Sequence, residues 1–172
     1  MKKQLPNHLW ESFLDLLRKP DTLENYESYY NSMVFWIKNN YRNFTEELLK
    51  CSRLDVLINI NPEFYLNDCQ DFYLESELKR FENNRPSSIN TFAMIVGDRL
   101  WEMVAIKSGI DCPNCMDEFR YVLIEKPSGE KNVVLECESC AWSENIDGTK
   151  LDEGLVKVMP ANKQDLKKFG IQ

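Results

Sequence analysis

The sequence predicts an α+β fold: a bundle-like helical domain over residues 1–109, then a small antiparallel sheet over residues 110–172 that ends in a short helix. Three observations predict it. Apolar residues recur at spacings of three and four from Leu9 to Val104, the period of helices with one buried face. Between Phe119 and Glu136 the pattern becomes aromatic and β-branched around a Pro/Gly-containing turn, which fits a hairpin. Two C-x-x-C pairs bracket that hairpin, with twenty-one residues between Cys115 and Cys137.

In chain order, the first helix carries Leu9, Phe13, Leu16 and Leu17 on one face, with Trp10 and Leu14 beside it, and Pro20 ends it. Asp21-Thr22-Leu23-Glu24 has capping-box spacing. The second helix it opens carries Tyr26, Tyr29, Tyr30, Met33 and Ile37, and stops at Asn39-Asn40. A third pattern starts at Asn43, with Glu46 three residues on, and runs through Leu48 and Leu49. Residues 54–60 alternate as a strand would, yet Leu54, Leu57 and Ile58 also suit a helix face; both readings stand. Asn61-Pro62 is a cap followed by proline at the first helical position, so a helix is expected from there to about Asn83, ahead of Pro86. The last helix is expected from Ser88 to Lys107, with Gly109 as its C-terminal cap. Gly97 lies inside it and weakens it by about 1 kcal/mol relative to alanine.

Phe119, Tyr121 and Leu123 alternate with Arg120, Val122 and Ile124 before the turn Lys126-Pro127-Ser128-Gly129-Glu130, and residues 132–136 form the return strand. Trp142 then either covers one side of the cysteines or is an ordinary half-exposed strand aromatic. Asp147-Gly148 is a turn pair, Gly154 to Met159 reads as a strand extending the sheet, and Pro160 breaks it. Asn162 to Phe169 reads as a short amphipathic helix ending at Gly170. It is expected to dock on the helical part, since Phe169 and Ile171 would otherwise be exposed.

Cys112, Cys115, Cys137 and Cys140 are the strongest chemical signal. Each C-x-x-C turn can bring two sulfurs to one ion at about 2.3 Å, and two turns complete a tetrahedral zinc site. Such a site is closed, and fastens the fold rather than holding water or substrate. Two disulfides or redox thiols are the alternative, but a redox C-x-x-C usually comes singly and near a βαβ pattern. From Ile110 to about Asp147 the chain resembles the zinc ribbon family, in which two C-x-x-C knuckles sit on a small antiparallel sheet. The resemblance implies one structural zinc ion held by these four cysteines. It does not imply a function, since zinc ribbons serve nucleic-acid machinery, enzymes and protein-binding modules alike.

Charge narrows the function. Twenty-eight acids against twenty-one bases give −7 and a pI near 4.9, and four thiolates around a dication make the chain more negative still. That field disfavours nucleic acid, which calls for concentrated cations; Lys163, Lys167 and Lys168 are interrupted by Asp165. On the helix expected before Asn83, Asp68, Asp71, Glu75 and Glu82 fall within an arc of about 60°. They form either a solvated face or a contact surface for a basic partner. No EF-hand loop accompanies them.

His8 is the sole histidine, expected at the surface or in a capping role, and no nucleotide, hydrolase or metalloprotease motif is present, so a non-catalytic protein is expected. Cys51 and Cys69 have no partner at metal spacing and are expected as buried thiols, which points to a reducing, cytoplasmic location. The N-terminal residues lack the apolar run of a signal peptide, and no stretch reaches a membrane span.

Two function classes remain. The first is a protein-binding module with a basic partner, similar in overall character to bacterial immunity proteins, which neutralise toxin nuclease domains; any of Tyr26, Tyr29, Tyr30 and Trp36 that the core leaves unburied would supply its contact aromatics. Residues 1–107 carry no family signature. The second is a zinc-ribbon accessory factor docking on nucleic acid or a nucleic-acid-processing machine. Against it, Asp111, Asp117, Glu118, Glu125, Glu130, Glu136, Glu138, Glu144 and Asp147 outnumber the bases around the knuckles.

Overall fold

The structure is a computed structural model that describes residues 4–65, 74–151 and 157–171. The chain divides into two compact units, Met1–Met103 and Val104–Gln172, and its class is α+β: helices, then an antiparallel sheet, then a short helix.

In the first unit, α1 (Asn7–Leu17) buries Leu9, Trp10, Phe13, Leu14 and Leu17. The Asp21 capping box is not used. Pro20–Leu23 is a 3-10 turn, whose Thr22 hydroxyl donates back to the Leu16 carbonyl at 3.0 Å. The cap of α2 (Tyr26–Asn39) is instead Asn25, whose Oδ1 accepts from the Ser28 N–H at 2.8 Å. Tyr41–Asn43 also forms a 3-10 turn, so α3 (Glu46–Cys51) starts after Thr45, which accepts from the Leu48 N–H. The ambiguous stretch resolves as one helical turn, α4 (Leu54–Leu57), entered through Arg53 at φ 60°.

Asn61 does cap, accepting from the Glu63 N–H at 3.2 Å, but only the 3-10 turn Pro62–Phe64 follows directly. The helix expected to reach Asn83 is present as α5 (Leu74–Asn83), while Asp68, Cys69 and Asp71 lie outside the described residues. The last helix of the unit, α6 (Ile89–Val104), starts one residue later and ends three residues earlier than expected.

Aromatic packing joins four of these helices. The Phe13 ring meets Trp36, Phe81 and Phe92 edge-on at centroid distances of 5.2, 5.2 and 5.0 Å, so α1, α2, α5 and α6 converge on one side chain. Each such pair adds about 0.5–1.5 kcal/mol beyond its burial. The Tyr30 hydroxyl, inside this core, donates to the Leu57 carbonyl at 2.6 Å. Where α6 passes the end of α3, the backbones come so close that a Cβ on Gly97 would stand 2.0 Å from the Ser52 carbonyl oxygen.

The second unit is built on β2 (Glu118–Glu125). It pairs antiparallel with the whole of β3 (Lys131–Cys137), from Phe119 opposite Cys137 to Glu125 opposite Lys131. β1 (Ile106–Asp111) and β5 (Lys157–Pro160) also pair with β2, at Glu118–Tyr121 and Val122–Glu125 respectively. The short β4 (Ser143–Asn145) pairs with β3. Ile106 and Lys107 thus belong to a strand, because pairing with β2 outweighs a helical spacing that continued through them. Gly109, at φ 74°, occupies the irregularity between Lys107 and Asp111 and is no helix cap; its N–H donates to Glu118 Oε1.

Alternation along the hairpin sends Phe119, Tyr121, Leu123, Val133, Leu135 and Cys137 into one core with Ile106, Cys112, Ala161 and Leu166. α7 (Lys163–Lys168) begins with a full capping box between Asn162 and Asp165. Its Leu166, with the following Phe169 and Ile171, packs against that core. The docking expected for this helix is therefore made within the second unit.

Candidate metal centre

Cys112 follows β1, Cys137 ends β3, and their partners Cys115 and Cys140 lie one tight turn later. The two turns repeat one backbone design. In the first, the Met116 N–H donates to the Cys112 carbonyl at 2.9 Å and the Cys112 N–H to the Asp117 carbonyl at 2.7 Å. In the second, the Ala141 N–H donates to the Cys137 carbonyl at 2.9 Å and the Cys137 N–H to the Trp142 carbonyl at 2.8 Å. In both, the residue after the second cysteine is left-handed: Met116 at φ 65° and Ala141 at φ 56°. That conformation costs an L-residue about 1–2 kcal/mol and is free for glycine, so neither position is filled by the residue the backbone prefers.

The hairpin brings the two turns together. All four sulfurs lie within 4.8 Å of one another, with Cys112 and Cys140 at 3.6 Å and Cys115 and Cys137 at 3.3 Å. A tetrahedron with bonds of about 2.3 Å has sulfur–sulfur edges of about 3.8 Å, whereas a disulfide would require about 2.05 Å. The four cysteines named from spacing are therefore positioned to coordinate one metal ion. A four-sulfur tetrahedral set is soft and closed, the donor chemistry of zinc or of an iron–sulfur centre.

Backbone donors aim at the sulfurs. The Asn114 and Cys115 N–H groups donate to Cys112, whose thiol burial nevertheless pushes up. The Asp117 N–H pulls the Cys115 thiol down, but contact with Cys137, burial and the remaining sulfurs outweigh it and hold the thiol up at about 12. The Asn114 side chain, followed by the Trp142 N–H, lowers Cys140 to about 6. Metal ligation takes all four as thiolates, and the same N–H groups then support the bound charge.

Further contacts tie one turn to the other. The Ser139 hydroxyl donates to the Asp117 carboxylate, which also accepts from the Glu118 N–H; together these hold Asp117 below the usual carboxylate range. Arg120, 12 % exposed, pairs with Glu138 inside the second turn. Cys112 and Cys137 are buried in the sheet's core, while Cys115 is exposed. The Trp142 indole is 45 % exposed and donates to Glu144 at 3.0 Å, so it is the backbone of Trp142 that brackets the site. Spacing gives the four ligands but not the Asp117–Ser139 or Arg120–Glu138 links, which depend on the fold.

The other residues singled out from the sequence are not gathered here. Glu75 is exposed on α5, and Glu82, on the same helix, pairs with Arg18 of α1 at 2.9 Å. Asp68 and Asp71 lie outside the described residues. Tyr29, Tyr30 and Trp36 are core residues, as their helical spacing allows, so these three do not supply contact aromatics; Trp36 meets Phe13 and Tyr30 meets Leu57. Cys51 is exposed rather than buried, because it ends the short α3. His8 is exposed on the first turn of α1.

A second ionisable cluster, not evident from sequence, joins α5 to α6. Glu77 meets Arg99 at 3.1 Å, and Arg99 also pairs with Glu102. Glu77 and Arg99 have side chains 14 % and 15 % exposed and, with Arg80, Phe81, Asn84 and Ile95, line a cleft of about 300 Å³. Burial raises the Glu77 carboxyl above its ordinary range; Arg99 opposes this and Glu102 adds to it.

No protein-family profile, curated protein or solved structure matches the chain. Among the described residues no helix is long and apolar enough to cross a membrane.

Proposed function

We propose that the chain is a non-catalytic, zinc-fastened module that binds a basic protein, acting as an inhibitor of a cationic toxin domain such as a nuclease. The observation that carries this reading is the closed four-sulfur site set in an acidic chain. Four protein ligands fill a tetrahedral zinc and leave no position for water or substrate, so the ion's work is to hold the two turns together. The acids that outnumber the bases around those turns suit a cationic protein and repel phosphate. An inhibitor of a nuclease must reach its target ahead of nucleic acid, and complementary charge raises the encounter rate towards about 10⁸ M⁻¹s⁻¹. Glu75 and Glu82, exposed on α5, and the acids beside the metal turns are the two surfaces that suit such a partner.

Affinity isolation of the zinc-loaded chain from its native host, followed by mass spectrometry, tests the reading. One basic protein retained in stoichiometric amount, with an association rate that falls as salt rises, supports it. Salt-sensitive retention of nucleic acid overturns it in favour of an accessory factor of nucleic-acid machinery. Elemental analysis of the freshly purified protein should return one zinc per chain.

A further inference from the structure

We infer that the metal-turn end of the second unit is where the basic partner docks, through a lysine- or arginine-rich segment that also carries an apolar residue. The inference rests on the reading above and locates its contact surface. Met116 is the first ground for it. It is 72 % exposed, more than any other large hydrophobic among the described residues, and it stands at a left-handed position where glycine would be unstrained. Neither the fold nor the metal asks for a methionine there. Held strain combined with an exposed, adaptable thioether fits a contact residue.

Trp142 is the second ground. Its exposed indole is fixed by the bond to Glu144, so it loses little freedom when a partner covers it, the property of a binding anchor. Asp111, Asp117 and Glu138 are exposed at the same two turns. Each of these residues lies within two positions of a cysteine whose sulfur belongs to the 4.8 Å cluster. The cation nearest them in sequence, Arg120, is mostly buried and committed to Glu138. Apolar anchors set among carboxylates match a cationic segment with an apolar residue and repel a nucleic-acid backbone. The exposed Phe35 and Tyr41 of the first unit differ, being flanked by Lys38, Asn39 and Arg42.

The test uses the full, zinc-loaded chain and three probes: an octapeptide alternating lysine and leucine, its lysine–serine counterpart, and a single-stranded oligonucleotide. The lysine–leucine peptide should bind at least tenfold more tightly than the lysine–serine peptide, and should shift the Met116 methyl and Trp142 indole NMR signals. Met116→Gly relaxes the backbone and keeps the zinc. Combined with Trp142→Ser, it should bring the two peptides to equal affinity, and Asp111→Lys, which leaves the Asp117–Ser139 link in place, should weaken both at least tenfold. Unchanged discrimination in Met116→Gly/Trp142→Ser, or an oligonucleotide moving the same signals, overturns the inference. If Glu75→Gln with Glu82→Gln abolishes peptide binding while the metal-turn variants do not, the docking surface is refuted and the basic-partner reading stands. If neither peptide binds, both fail.

Discussion

Gly97→Ala should destabilise the helical unit, although helix propensity alone favours alanine by about 1 kcal/mol. The added Cβ would stand 2.0 Å from the Ser52 carbonyl oxygen and 3.1 Å from its carbonyl carbon. An unstrained carbon contact lies near 3.5 Å or beyond, so α6 or the end of α3 must retreat by more than about 1 Å. The obstacle is backbone that closes α3, and no side-chain rotation relieves it. Overpacking costs about 1–3 kcal/mol, with a rigid obstacle at the upper end, which leaves a net loss of about 2 kcal/mol after the propensity gain. Far-UV circular dichroism of the zinc-loaded chain in urea should show the helical transition moved down by on the order of 1 M. An unchanged or higher midpoint would refute the close approach of α6 to Ser52.

Cys137→Ala, or chelation of the native chain, should unfold at least the sheet unit while the helical signal persists; structural zinc contributes on the order of 10 kcal/mol in small metal-folded peptides. Loss of zinc with hairpin amide protection intact would contradict this. Ala141→Gly should stabilise the sheet unit by about 0.5–1 kcal/mol, since it removes left-handed strain without touching a ligand, read as a higher midpoint for metal-dependent unfolding. Glu77→Gln tests the α5–α6 ion pair by pH. Burial raises the folded carboxyl's pKa, so its contribution is fully present at low pH and is lost as pH rises through the folded value. The variant cannot ionise, so its stability relative to the native chain should increase from about pH 4 to about pH 7; a flat or falling difference would count against the burial of Glu77.

The four-cysteine cluster was legible because its spacing is itself the chemistry: two C-x-x-C turns at the ends of one hairpin have few other uses. The hairpin was legible because Phe119, Tyr121 and Leu123 keep strict alternation. The start of β1 was hidden because Ile106 prolongs the spacing of α6, and only its partner Tyr121, fifteen residues away, makes it a strand. Gly97 misled for a similar reason. Its local cost is visible in the sequence, but its necessity lies in Ser52, forty-five residues earlier. The caps shifted by a few residues because Pro20–Leu23 and Tyr41–Asn43 spend theirs on 3-10 turns, leaving Asn25 and Thr45 to open the α-helices. The left-handed backbone at Met116 and Ala141 was the least legible, since no glycine stands there to announce it.

Sulfur pairs meet across the hairpin, Cys112 with Cys140 and Cys115 with Cys137, so a bound ion would be shared between segments that leave the ribosome at different times. The first pair emerges with two of four ligands and must wait for β2, the turn and β3 before it can close on anything. Completing the four-sulfur set thus waits for the hairpin to close, while β4, β5 and α7, which follow Cys140, have still to join the sheet unit.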